Sequence, residues 1–223
     1  MKMLLTSAGV MNPSIHAALV SLLPKPIEEC NALCIPTPIY AHPLAGPVMA
    51  YSFFNNTAGN PMLELGWKQM GVLELTVLPH INRELWVPLI ENADVLLVAG
   101  GETMFLAHWM RESGLAEMLP KLDIVWVSLS AGSVVMAPHI GKRFVFWPEE
   151  GADDTGLGFV DFAIFPHLDY PTMPTHSLEH AKEWFTHMHV PGYAIDDETA
   201  IKVNGDEIEV ISEGNWHYWE HTS

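Results

Sequence analysis

Four short stretches of this chain place reactive side chains beside glycines or strand ends. They are "VAGGETMF" at 98–105, "SLSAGS" at 128–133, "FPHLDY" at 165–170 and "AIDDETA" at 194–200. Ser130 follows the β-branched and aromatic run Ile124, Val125, Trp126, Val127 and precedes Val134, Val135 and Met136. It therefore sits on a strand-to-helix corner. A serine there has an exposed hydroxyl, a pinned backbone and helix N-terminal N–H groups beside it, the parts of a nucleophile elbow. The elbow pattern is G-x-S-x-G, and this chain has S-x-S-x-G, with Ser128 and Gly132 at the crowded positions. The same residues also read as a plain helix start with Ser130 as N-cap.

A second corner follows the strand-like "VLLVAGG", where Gly100 and Gly101 precede a helix starting near Thr103. Two such corners on successive parallel strands would set one backbone N–H from each beside the Ser130 hydroxyl. By itself a Gly-Gly pair is also an ordinary turn. Of twelve histidines, His167 is the candidate base, because it lies just past an apolar strand and behind a backbone-restricting proline. Asp196, Asp197 and Glu198 form an acidic turn between two apolar strands, either a solvated turn or the source of a carboxylate that orients the imidazole. The order serine, histidine, acid disfavours an α/β-hydrolase, which runs serine, acid, histidine. A metal set of His167, Asp169, His176 and His180 can also be assembled, without the glutamate of an H-E-x-x-H helix.

These residues need strands that end on one sheet edge. Strand-like segments "MKMLLTSAG", "NALCIPT", "VLELTVL", "ADVLLVAGG" and "LDIVWVSLS" alternate with helix-like "PSIHAALVSLL", "MLELGWKQMG" (closed by Gly71), "NRELWVPLI" (opened by Asn82) and "TMFLAHWMRES". The alternation predicts an α/β fold, a mostly parallel doubly wound sheet flanked by helices. The last third changes character, with short strands "KRFVFW", "FVDFAIFPH", "YAIDDETAIKV" and "EIEVISEG" and one helix in "MPTHSLEHAKEWFTHM". Gly205 in "VNGDEIEV" marks a two-residue hairpin, so a C-terminal antiparallel ribbon is expected on one sheet edge. The Pro-rich "IPTPIYAHPLAGP" reads as a long loop within a single domain spanning residues 1–223. His217 and His221 fall in a tail that reads as exposed.

With 223 residues, 49% of them hydrophobic, the chain can bury one substantial core. No apolar run nears 18 residues and no basic-apolar-small leader opens the chain, which predicts a cytoplasmic protein with no membrane partner. Cys30 and Cys34 are too few for a disulfide framework and read as buried thiols in a reduced compartment. A formal net charge of −17, from 27 acids and 10 bases, repels phosphate backbones and excludes nucleic acid as a partner.

Taken in order and at their separations, "AGGETMFL", "SLSAGS", "FPHLDY" and "AIDDETAIKV" resemble the peptidase E family of serine peptidases, which includes aspartyl dipeptidase and is related to cyanophycinase. The resemblance spans roughly residues 90 to 205 plus the N-terminal strand. It implies a fold related to class I glutamine amidotransferases and hydrolysis of short peptides by a Ser-His-acid triad. Carried over by position, Ser130 is the nucleophile, His167 the base, Asp197 the acid, and Gly101 and Ala131 the oxyanion donors. No metal or organic cofactor is implied. The chain departs from the family at Ser128, and again after the histidine, where aspartyl dipeptidases are expected to carry arginines and this chain reads "MPTHSLEHAKEW", with Lys182 its only strong base.

The expected activity is a dipeptidase or aminopeptidase, on N-terminal Asp-X or more broadly, working as a monomer or homodimer. An esterase or amidase and a non-catalytic binding domain of the same fold are the alternatives. Candidate substrate contacts are Gly100, Arg143 and Lys182, with Arg111 and Lys142 as further cations near the site.

Overall fold

A computed structural model describes residues 1–44, 46–55, 61–147 and 153–220. The apolar runs expected as strands form β1 (Lys2–Thr6), β2 (Asn31–Ile35), β4 (Val95–Val98) and β5 (Val125–Leu129), with β3 (Gln69–Val72) between β2 and β4 in sequence. Later in the chain come β6 (Ala163–Phe165), β7 (Gly192–Ile195), β8 (Thr199–Asn204), β9 (Glu207–Ser212) and β10 (Trp216–Trp219). The helices are α1 (Pro13–Leu22), α2 (Gly46–Phe54), α3 (Val87–Glu91), α4 (Thr103–Glu112), α5 (Leu115–Met118), α6 (Ala131–Val134) and α7 (Leu178–Phe185).

Seven strands form one sheet in the order β3-β2-β4-β5-β1-β8-β9. The first five run parallel, and β8 and β9 add an antiparallel ribbon at the β1 edge. Central strands are buried on both faces, as crossover helices require. Met3 and Leu5 pack into one core with Trp126 and Leu106, whereas Leu4 packs into another with Ile15 and Val127. The architecture is thus α/β, a mostly parallel sheet flanked by helices. β1, β4 and β5 end together on one edge, where Ser7, Ala99 and Ser130 begin the loops.

The expected ribbon hairpin is present, with Asn204 paired to Glu207 and Gly205 (φ 62°) first of the two loop residues. "FAIF" and "GYAI" do not join the main sheet. They pair in parallel as β6 and β7 in a second sheet, order β10-β7-β6, under α7. Its third strand, β10, is the segment read as an exposed tail, and it carries His217 opposite Ala194. His221 lies outside the described residues.

Four further segments differ from their sequence reading. "MLELGWKQMG" is not a helix, because Gly66 at φ 91° breaks it. A 3-10 turn (Pro61–Glu64) and β3 replace it, and Gly71 lies in the strand, where a Cβ would meet Leu33 Cδ2 at 2.9 Å. "VLELTVL" is not a strand but a 3-10 helix (Leu75–His80), nucleated by Glu74, whose carboxylate accepts from Thr76 N at 3.2 Å and from Thr37 Oγ1 at 2.9 Å. "KRFVFW" forms a 3-10 turn (Lys142–Phe144) after Gly141 at φ 75°. The Pro-rich loop holds a 3-10 helix (Thr37–Ala41) and α2, each opened by a proline suited to a helix first turn. "NRELWVPLI" is helical as expected but split into a 3-10 turn (Arg83–Leu85), capped by Asn82, and α3. Cys30 and Cys34 are both buried and free. Among the described residues, no helix is long and apolar enough to cross a membrane.

Candidate active site

Ser130 stands between β5 and α6 with φ 49° and ψ −113°. A non-glycine residue keeps such a backbone only where its surroundings over-determine it. Here its N–H donates to Thr6 O at 2.9 Å, and its carbonyl accepts from Ser133 N at 2.8 Å and Val134 N at 2.9 Å. Gly132 must stay small, since a Cβ would lie 3.0 Å from Ala99 O, Ser128 Cβ and Val98 Cγ1. Ser128, standing where the elbow pattern has glycine, is accommodated by a polar weld. Its Oγ lies 2.9 Å from Ser133 Oγ, which in turn donates to Thr6 O at 2.7 Å and accepts from Thr6 N at 2.9 Å.

His167 also has a positive φ, 56°, on the loop after β6. Its Nδ1 lies 2.7 Å from Asp197 Oδ1. A carboxylate accepts, so Nδ1 carries the proton and Nε2 is left as the basic nitrogen. Of the three adjacent acids, only Asp197 makes this bond. Asp196 folds the turn itself, accepting from Thr199 Oγ1 at 2.6 Å and Glu198 N at 3.1 Å. Glu198 accepts from Asn12 Nδ2 at 3.0 Å.

At the neighbouring corner, Gly101 takes φ 135°, and a Cβ there would sit 2.3 Å from Pro38 O. Gly100 abuts the elbow, since its Cβ would lie 2.7 Å from Leu129 Cδ1 and 3.2 Å from Ser130 Cβ. The absence of a side chain lets the two corners close on each other. The next residue, Glu102, is buried and anchors the wall of the site, its Oε1 accepting from Phe146 N at 2.8 Å and Trp147 N at 3.2 Å. Burial raises its pKa, against the lowering effect of those N–H bonds.

Ser130, Ala131, Gly100, Gly101, His167 and Asp197 all line one cavity of about 730 Å³. Of the cations singled out in the sequence, Arg143 alone lines it. Its Nη2 donates to Thr175 O, its guanidinium lies 5.6 Å from the centroid of the Phe165 ring, and its buried Nε has no partner. Burial lowers the Arg143 pKa, the mark of a partly desolvated cation. Lys182 is exposed on α7 and Lys142 is exposed, neither among the lining residues, while Arg111 donates to Thr155 O and Gly156 O. The residues of the alternative metal set make local bonds instead. His176 Nδ1 donates to Pro166 O at 3.1 Å, His180 Nδ1 pairs with Ser177 Oγ at 2.7 Å, and Asp169 Oδ1 accepts from Leu178 N at 3.2 Å. Burial lowers the His176 pKa, so its ring is neutral with Nε2 as acceptor.

Sequence reasoning missed four contributors. Ser7, read only as part of a turn after β1, accepts from His167 N at 3.0 Å and donates to Ile195 O at 2.9 Å, tying the histidine loop to the strand that leads to Asp197. His42 and the α2 residues Met49 and Phe53 line the cavity from the segment read as a loop. No spacing signal marks them, because they reach the site by tertiary packing.

The arrangement joins a strained serine, a carboxylate-held imidazole and two glycine-bearing corners. Solved structures share its fold. A provisionally named peptidase E protein from Listeria monocytogenes EGD-e superposes with a TM-score of 0.69 at 16% identity, over 96% of this chain and 98% of that one. A peptidase from an acI-B1 actinobacterium superposes with a TM-score of 0.64 at 18% identity, over 99% and 91%. In sequence, the chain is 24% identical to peptidase E of Nostoc sp. over 76% of this chain and 70% of that protein. It is 26% identical to an uncharacterized peptidase of Pasteurella multocida over 74% and 80%. The model of peptidase family S51 matches residues 4–211, from β1 through the elbow and the acidic turn into β9. By that match the chain belongs to peptidase family S51, a family of serine peptidases.

Proposed function

We propose that this protein hydrolyses short peptides through an acyl-enzyme, with Ser130 as nucleophile, His167 as general base and acid, and Asp197 as the residue that orients the imidazole. The observation that carries this reading is the 2.7 Å His167–Asp197 pair in the same cavity as a serine held at φ 49°. His167 Nε2 takes the Ser130 proton as Oγ attacks the scissile carbonyl, and Asp197 stabilises the imidazolium that forms. The N–H groups of Gly101 and Ala131 receive the oxyanion, each supplying about 3 kcal/mol. The imidazolium then protonates the leaving amine, and water repeats the sequence on the acyl-enzyme. Arg143 favours short substrates, because a partly desolvated guanidinium beside the histidine loop suits the free carboxylate of a dipeptide.

The test is a panel of dipeptides and matched esters together with a serine-directed phosphonate. Wild-type protein should cleave peptides and take up one label on Ser130, and Ser130→Ala should lose both, with turnover down by several orders of magnitude. Ester hydrolysis without peptide hydrolysis would make it an esterase. Failure to label the folded protein would leave a binding domain.

A further inference from the structure

The cavity has two chemically different ends. Around His167 lie Tyr170 and His176, their rings 6.0 and 6.2 Å from the imidazole, with Arg143 bonded to Thr175 beside them. In acyl transfer the leaving amine must sit against the imidazole that protonates it. The carbonyl oxygen must face Gly101, so the acyl residue extends away from His167, along the wall that packs on the Gly101 corner. That wall is the 37–41 turn and α2. Pro38 O accepts from Glu102 N at 2.8 Å, and Ile39, Met49 and Phe53 line the cavity.

On α2 the spacing of Met49 and Phe53, one helical turn apart, aims both side chains at the same side. Phe53 and Ala50 are buried and hold the helix in place, whereas Met49 is 45% exposed, an apolar side chain at the mouth of the cavity. His42 and Phe146, which also line the cavity, meet edge to face with centroids 6.1 Å apart. Burial lowers the His42 pKa, which keeps the ring uncharged at neutral pH. The one carboxylate among the described lining residues, Asp197, is engaged by His167. The volume of about 730 Å³ lies in the upper part of the ~300–1,000 Å³ range of sites that enclose a drug-sized ligand.

We propose that Ile39, Met49, Phe53 and Phe146 form an apolar subsite for the side chain on the acyl side of the scissile bond, so that the enzyme prefers peptides with a bulky apolar residue there. The proposal rests on the serine-peptidase reading above. An aspartate at this position meets an uncharged apolar wall, and a lysine finds no free carboxylate among the described lining residues.

The test measures kcat/KM on the full chain for X-Ala and Ala-X dipeptides, with X as Ala, Leu, Phe or Asp. Leu-Ala and Phe-Ala should exceed Ala-Ala by about tenfold or more, the discrimination a few methylenes give in an apolar pocket, and Asp-Ala should not exceed Ala-Ala. Met49→Ser and Phe146→Ser, both at exposed positions, should each shrink the Phe-Ala to Ala-Ala ratio several-fold. Val48→Ser, 77% exposed on another side of α2, should keep it. A flat X-Ala series, a preference for Asp-Ala, or an apolar preference confined to Ala-X would overturn the subsite while leaving the peptidase reading intact. Cleavage of no peptide, with no label on Ser130, would sink both.

Discussion

At the scale of single residues, three neighbouring acids have three different roles, and the hydrogen bonds separate them. Asp197 holds His167 Nδ1 in the tautomer that leaves Nε2 basic, so Asp197→Asn should lower kcat by about four orders of magnitude with little change in stability. Asp196→Asn weakens a turn carboxylate bonded to Thr199 Oγ1 and Glu198 N. It should destabilise the fold by about 1–3 kcal/mol and leave kcat within tenfold of wild type, as should Glu198→Gln. Steady-state kinetics beside urea denaturation reads both quantities, and a steeper kinetic loss at Asp196 would mean that the imidazole has a different partner in solution.

At the scale of elements, the elbow is held by hydroxyls bridging two strands. Ser133 Oγ links Thr6 of β1 to Ser128 of β5, and all three groups are buried. Ser133→Ala leaves Thr6 N and Ser128 Oγ without that partner. The expected cost is about 1–3 kcal/mol in urea denaturation, with kcat reduced far less than in Ser130→Ala, because the proposed nucleophile and base remain. A change below 0.5 kcal/mol would show that water replaces the missing hydroxyl and that the weld is not what secures the corner.

At the scale of the whole molecule, a chain of net charge −17 repels any anionic substrate at long range. Arg143 is the one Lys or Arg among the described residues that line the cavity, so under the proposed dipeptidase reading it is the group that attracts a substrate carboxylate locally. A charge-assisted bond contributes about 1.5–3 kcal/mol. Arg143→Met should therefore lower kcat/KM for Ala-Leu by about 10- to 100-fold and leave the Ala-Leu amide nearly unchanged. Equal losses on acid and amide would assign Arg143 to packing against Phe165 instead of carboxylate binding.

The sequence by itself determined the parallel α/β core and placed the four chemical stretches at strand ends. Those features are local, since "VLLVAGG" and "IVWVSLS" are apolar runs closed by small residues, and backbone sterics set the corners that follow. The helix expected over 62–71 failed at Gly66, where a positive φ reversed the local propensity. The strand expected over 72–78 yielded to a side-chain cap from Glu74. Tertiary structure alone decided the rest. It put Ser7 under the histidine loop, paired "WHYW" with β7, and folded the Pro-rich segment into the α2 wall. Each of these depends on partners far along the chain, and no local spacing or propensity encodes a contact whose other half is 21 to 160 residues away.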